Sequence, residues 1–94
     1  MKYRKRPIVV EAVRIGANAG STDGSACFDD QPPWLEAALQ DGKVRDADDA
    51  SGGVIVRTLE GEMRGRPGDW LIRGIADELY PCRSEIFDSV YETL

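Results

Sequence analysis

The chain has 94 residues, of which 41% are hydrophobic and 31% charged, a balance that is typical of one globular domain spanning residues 1–94. It contains no histidine, which excludes Cys–His and Ser–His nucleophile activation and the commonest zinc ligand. No apolar run approaches the roughly 20 residues of a membrane-spanning helix, and no signal-type segment follows the basic start, so we expect a cytoplasmic protein without membrane attachment.

Basic side chains are concentrated at the N-terminus, although the net charge of the whole chain is −5. Lys2, Arg4, Lys5 and Arg6 lie close together in the sequence and are candidate contacts for a macromolecule. Short charge runs are usually only solvated, and the acidic total repels phosphate at long range. Nucleic-acid binding by this segment is therefore a weaker alternative to binding a protein.

The first predicted element is a strand over residues 8–15, which are rich in β-branched side chains that partly alternate with polar ones. Residues 16–31 are dense in Gly, Ser, Asn and Asp and predict a long loop, either functional or disordered. Residues 32–42 then predict a short helix, because prolines occupy first-turn positions and a glycine supplies the end. We expect Trp34 and Leu35 of this helix to face the core.

The second half of the chain predicts short strands joined by tight turns. A short strand over residues 43–46 is followed by a turn-rich segment over residues 46–53. Residues 54–60 have strong β character and end in a hairpin turn at Glu60 and Gly61.

Two further strands follow a second turn. Pro67 and Gly68 form a type II turn signature, because proline presets its negative φ and glycine accepts a positive one. Residues 70–72 form the next strand and residues 78–82 the last, with Pro81 indicating that this last strand lies at a sheet edge.

The chain ends in a predicted helix that Ser84 caps. Its apolar stripe consists of Ile86, Phe87, Val90 and Tyr91. Short strands with one helix inserted among them and one appended indicate an α+β fold. We expect a small curled antiparallel sheet, partly open and barrel-like, with one inserted helix and one C-terminal helix.

The segment RPGDWLIRG raises the question of whether Asp69 and Trp70 contact a ligand or stabilise the fold. Trp70 opens a strand directly after a tight turn, and Ile72 lies on the same strand face. We therefore expect both side chains to be core residues beneath the C-terminal helix, and Asp69 to be exposed or bonded within the turn.

Few residues carry a chemical signal. Cys82 precedes a helix start, where a thiolate would be stabilised, but without a histidine base a structural role is favoured. Asp69, Glu78 and Cys82 are the candidate residues of a small ligand-binding or enzymatic cleft, which is the alternative to a binding protein. Asp46 begins a segment that resembles an EF-hand calcium-binding loop. Arg57 stands at the position where such a loop needs its terminal glutamate, which argues against calcium binding. We expect no metal and no cofactor.

Two segments carry a family resemblance: MKYRKRPIVVEAVR at the start, and VRTLEGEMRGRPGDWLIRGIADELYPCRSEIFDSVYE over residues 56–92. They resemble small proteins of tailed bacteriophages and prophages. Those proteins open with a Lys-Tyr-Arg-Lys-Lys-Pro stretch that runs into a strand. They later carry Pro-Gly-Asp-Trp or Pro-Gly-Asp-Tyr, then Glu-Phe-Tyr-Pro-Cys, and a helix beginning Pro-Asp-Ile-Phe.

The chain departs from this pattern at two places. Asp77 and Glu78 stand where relatives have Gly-Glu, and Ser84 and Glu85 stand where they have Pro-Asp. Both changes preserve turn or capping chemistry. The resemblance implies a phage or prophage origin, hence the cytoplasm of a bacterial host, and it implies no catalytic residue.

These observations together predict a non-enzymatic phage or prophage accessory protein of unassigned role. We expect it to bind a host or phage macromolecule, with a protein as the partner. Exposed strand edges in so short a chain also favour a homodimer formed by edge pairing.

Overall fold

A computed structural model of the chain describes residues 1–4, 8–16, 28–47 and 52–93. The described residues form two helices and six strands, which confirms the predicted α+β class. In chain order the elements are β1 (Glu11–Arg14), α1 (Pro33–Gln40), β2 (Val44–Asp46), β3 (Val54–Thr58), β4 (Gly61–Gly65), β5 (Trp70–Arg73), β6 (Leu79–Cys82) and α2 (Ser84–Val90).

The strands form two antiparallel sheets of three strands each. The first sheet has the order β1-β5-β6 and the second sheet the order β2-β3-β4. Because β4 and β5 pair with different strands, the turn between them passes the chain from one sheet to the other. The expected curled sheet is therefore divided in two, and the described strands do not close into a barrel. Pro81 lies on β6, an edge strand, as predicted.

The core lies between the two sheets and α1. In the first sheet, Val13 pairs with Leu71, so both side chains project from the same face. These two residues form a buried cluster with Val54 and Val56 of the second sheet. The other buried members of the cluster are Ile15, Leu35, Ala38, Val44 and Leu79. Burial of these aliphatic side chains is the main force that holds the sheets together.

Helix α1 packs one side of this core. Leu35 and Ala38 are buried, and Trp34 is half-buried against the cluster, which confirms the predicted inward side of the helix. The indole Nε1 of Trp34 donates a hydrogen bond of 2.7 Å to Glu11 Oε2. Gly42, with φ +75°, follows the helix at the place where the sequence predicts its end.

Helix α2 differs from the prediction in two respects. Arg83 occupies the N-cap position and Ser84 is the first helical residue, so Ser84 does not cap the helix. Ile86 and Val90 are each at least half exposed, so the predicted apolar stripe is wrong for these two residues. Seven residues make only about two turns, and a helix this short turns few side chains toward the sheet.

Several predictions fall on residues outside the described ranges. Most of the loop predicted over residues 16–31 belongs to this group, as does part of the turn-rich segment over residues 46–53. The basic candidates Lys5 and Arg6 also lie outside the described residues.

Gly65 lies where β4 passes close to Ile15 and to Pro81 of β6. It is buried at the end of β4, where a Cβ atom would lie 2.6 Å from Ile15 Cδ1 and 3.3 Å from Pro81 Cβ. Real Cβ atoms do not approach carbon atoms as closely as the first of these distances. An alanine at position 65 would therefore require the Ile15 side chain to shift within the packed core.

We expect Gly65→Ala to lower the free energy of unfolding by about 1 to 3 kcal/mol, the usual cost of overpacking a core. Urea unfolding of the wild type and the variant measures this difference. Ile15→Val removes the clashing Cδ1 atom, so the double variant Gly65→Ala, Ile15→Val should lose less stability than the two single changes added together. If the loss of the double variant equals the sum of the two single losses, a clash between residue 65 and Ile15 Cδ1 does not cause the destabilisation.

Candidate binding groove

The Pro67–Gly68 turn is present as predicted. Asp69 N donates to Arg66 O at 2.9 Å, and Gly68 has φ +92°, as the third position of a type II turn requires. The turn is anchored to the end of β1, because Ile15 N donates to Asp69 O at 2.8 Å and Gly68 N donates to Ile15 O at 2.7 Å.

The carboxylate of Asp69 joins this turn to α2. Its Oδ2 accepts from Arg66 N at 3.0 Å, within the turn as predicted. Its Oδ1 accepts from Ser84 N, the first residue of α2, at 3.4 Å. An amide at the first turn of a helix has no partner within the helix, so Asp69 supplies the acceptor that the expected Ser84 cap does not.

The Arg14 side chain spans the same corner. Its Nε donates to Gly68 O at 3.1 Å, and its Nη2 lies 3.5 Å from Ser84 Oγ. The guanidinium carbon stands 5.5 Å from the centre of the Trp70 ring, a cation–π distance. One arginine on β1 thus contacts the turn, the start of β5 and the start of α2.

Three aromatic rings connect the first sheet to α2. Trp70 stacks on Phe87 with centroids 4.2 Å apart and an angle of 11° between planes. Phe87 in turn lies 5.0 Å from Tyr91. We call Trp70, Phe87 and Tyr91 the aromatic stack. Stacked pairs of this kind stabilise a structure beyond the area that they bury.

Trp70 packs beneath α2 as expected, but it is not a core residue. It is half-buried and lies outside the core cluster, whereas Ile72, two positions on, is fully buried. The register explains this arrangement, because Ile72 pairs with Ala12 and Tyr80 and therefore projects from the face opposite to Leu71. That outer face of the first sheet is the one that α2 partly covers.

An open groove of about 840 Å³ lies between this outer face, α2 and the segment preceding β1. The aromatic stack, Ala12 and Tyr80 form much of its lining. Ile8, Val9, Ile75 and Val90 also line it and are exposed, Val9 and Ile75 to more than 70%. Among the described residues of the lining, Glu78 and Glu92 are charged, and both are acidic.

Two polar groups beside the groove, the Tyr80 hydroxyl and the Trp70 indole N–H, are uncharged. Burial, followed by a hydrogen bond with the Tyr91 hydroxyl, raises the pKa of Tyr80 well above its ordinary value, so this phenol stays protonated at neutral pH. The indole Nε1 of Trp70 is enclosed and has no acceptor among the described residues. The groove therefore offers apolar and aromatic surface with acidic groups on its lining.

The three candidate residues of a catalytic cleft do not converge on one cavity. Glu78 lines the groove, but its Oε2 accepts from Ala76 N at 2.8 Å. Asp69 is engaged by two backbone amides and does not line the groove. Burial raises the pKa of the Cys82 thiol, and the charges of Asp69 and Glu85 raise it further, so this thiol is a weak nucleophile at neutral pH.

The basic N-terminal candidates are only partly among the described residues. Lys2 and Arg4 are exposed, and the neighbouring positions 5–7 lie outside the described ranges. Within the described ranges, no three acidic or cysteine side chains are placed to hold a metal ion. Neither described helix has the length and apolar character needed to cross a membrane.

Sequence reasoning missed most of the groove. It placed Trp70 and Phe87 together but assigned them to the core. The sequence offered little signal for the rest, because the exposure of Val9 and Ile75 becomes visible only in the structure.

The fold and the groove define a small two-sheet α+β domain with an open aromatic groove on the outer face of its first sheet. Comparisons with protein-family models, with curated proteins and with solved structures found no match to the chain.

We expect Trp70→Ala to lower the free energy of unfolding by about 3 kcal/mol. This value is at the lower end of the range for removing a buried tryptophan side chain, because the Trp70 ring is only half-buried. Asp69→Ala should cost about 1 kcal/mol, the usual loss for a removed cap. Thermal melts compare the two variants, with Trp70→Phe as the control that keeps a ring against Phe87. A Trp70→Ala protein that melts like the wild type would show that the stack does not stabilise the fold.

We expect Cys82 to be alkylated slowly. In a Cys27→Ala variant, which leaves a single thiol, the pH midpoint of iodoacetamide alkylation should lie above the ordinary thiol pKa of about 8.5. Glu85→Gln should move the midpoint down, because it removes a negative charge that disfavours the thiolate. A midpoint below that of the urea-unfolded chain would instead indicate an activated cysteine.

Proposed function

We propose that this chain is a non-enzymatic accessory protein of a phage or prophage, acting in the bacterial cytoplasm by binding another protein through its aromatic groove. The observation that carries the proposal is the concentration of exposed aliphatic side chains around the aromatic stack. Exposed apolar surface of this kind is costly in water and marks interaction sites in small proteins. The phage origin rests on the resemblance of residues 1–14 and 56–92.

The charge of the groove favours a protein over a nucleic acid. Glu78 and Glu92 would repel phosphate groups, and the net charge of −5 adds to that repulsion. A partner segment with apolar side chains flanked by lysine or arginine would match both the stack and the acidic lining. Aromatic side chains are common anchors at such interfaces, because they bury a large area with few rotatable bonds.

The surroundings of Asp69 and Cys82 support a role without catalysis. The Asp69 carboxylate accepts two backbone hydrogen bonds and the Cys82 thiol is held protonated. A nucleophile or general base needs a pKa tuned towards neutral pH and access to a shared cleft. Neither residue lines the groove.

Tryptophan fluorescence tests the proposal directly, since the chain has only two tryptophans. In a Trp34→Phe variant the emission reports on Trp70 alone. We expect a short peptide rich in Leu, Ile and Val and flanked by lysines to shift this emission and bind. The same peptide flanked by glutamates should bind at least roughly tenfold more weakly, a difference of about 1.4 kcal/mol.

Two surface variants provide matched controls. Val90→Lys places a positive charge on the groove and should weaken binding of the lysine-flanked peptide, whereas Leu59→Lys, at the exposed tip of the β3–β4 hairpin and outside the groove lining, should not. Equal binding by the two variants, or no response of Trp70 to either peptide, would overturn the proposal. A shift caused by single-stranded DNA instead would favour the nucleic-acid alternative.

A further inference from the structure

Strand β4 is an edge strand with an exposed outer side. It is the last strand in the order β2-β3-β4, and residues 61–64 are exposed. The strand contains no proline and no lysine, and it pairs with β3 without a bulge, so three of the features that keep an edge from pairing with another chain are missing.

The hydrogen-bond pattern of β3 fixes which backbone groups of β4 point outward. Arg57 N donates to Lys43 O at 2.7 Å, and Gly53 O accepts from Ala47 N at 3.1 Å, so odd-numbered residues of β3 bond towards β2. Along an antiparallel strand, the backbone N–H and C=O groups of successive residues point to opposite sides. The even-numbered residues of β3 therefore form their backbone hydrogen bonds with β4.

The partners of those even-numbered residues on β4 are known from the register. Val54, Val56 and Thr58 pair with Gly65, Met63 and Gly61 respectively. The residues between them, Glu62 and Arg64, therefore direct their backbone N–H and C=O groups away from the sheet.

The sequence of β4 is complementary to itself in an antiparallel arrangement. A two-fold axis at Met63 places Glu62 opposite Arg64 of a second copy, and Arg64 opposite Glu62 of that copy. These two positions are the ones whose backbone groups point outward, so both become hydrogen-bonded pairs. Met63, which is 42% exposed, lies opposite its own equivalent as the closer, non-hydrogen-bonded pair.

Glu62 also lies beside positive charges within its own sheet. Glu62 lies opposite Arg57 on β3, and its side chain accepts from Arg45 Nη1 at 2.8 Å. The second copy would add Arg64 on the other side of Glu62. Opposite charges directly across an antiparallel pair stabilise it, and like charges destabilise it.

We propose that β4 forms a homodimer interface, in which two copies of this chain pair antiparallel about Met63 and join their second sheets into one six-stranded sheet. The interface is independent of the groove, because no residue of β4 lines the groove. A strand of five residues gives a small interface, so the dimer is expected to be weak and concentration-dependent.

Charge reversal provides the sharpest test. Glu62→Arg places arginine opposite Arg64, and Arg64→Glu places glutamate opposite Glu62, so each variant alone should be monomeric by sedimentation equilibrium. Mixed together, the two variants should form a heterodimer, because every cross-strand pair is again of opposite charge. Circular dichroism confirms that each variant is folded.

Disulfide trapping tests the register. In a Cys27→Ala, Cys82→Ala background, Met63→Cys should form a disulfide-linked dimer, since a non-hydrogen-bonded pair brings Cα atoms to about 4.5 Å, within disulfide range. Leu59→Cys, on a more exposed side chain, is the control for random collision and should not crosslink. The proposal is overturned if the wild type is monomeric at all concentrations, if the charge variants fail to associate when mixed, or if both cysteine variants crosslink equally.

Discussion

One carboxylate, that of Asp69, links the turn between the two sheets to α2. Asp69 accepts hydrogen bonds from the turn that ends the second sheet and from the first residue of α2. The backbone of the same residue accepts from Ile15, at the end of β1. Turn, sheet and helix therefore meet at Asp69, and the side chain that the sequence marks as a binding candidate serves the fold. The adjacent Trp70 is then held at the point where it stacks on α2.

The groove is open because few of the described residues cover the outer face of the first sheet. The first sheet has two apolar faces, since Leu71 projects towards the core and Ile72 projects away from it, and both are fully buried. The second sheet and α1 cover the inner face, whereas among the described residues the seven of α2, Tyr91 and the segment preceding β1 lie against the outer one. Phe87 and Tyr91 cover part of this face, and the rest stays open between α2 and Val9. A domain of this size buries a smaller fraction of its surface than a larger one does.

Local signals in the sequence predicted local structure well. The Pro67–Gly68 turn, the end of α1 at Gly42 and the inward side of α1 at Leu35 each depend on residues close in the chain, and all three are confirmed. The division into two sheets was not predictable in this way, because it depends on β1 pairing with β5 across the whole second sheet. Likewise, helical spacing places the apolar residues Ile86 and Val90 on one stripe. It does not show whether that stripe meets the sheet, and in the structure both side chains stay exposed.

The two proposed surfaces belong to different sheets, and this separation has a physical consequence. The groove lies on the outer face of the first sheet, whereas β4 is the edge of the second. Pairing through β4 leaves the lining of both grooves uncovered, so a dimer would present two identical apolar sites related by a two-fold axis. If a partner carries repeated copies of one segment, a second copy can bind the second groove after the first copy has bound the first groove. This second step takes place within one complex, at a high effective concentration. Weak individual contacts at Val9 and Ile75 would suffice for stable attachment to a repeated partner, provided that the spacing of its segments matches the separation of the two grooves.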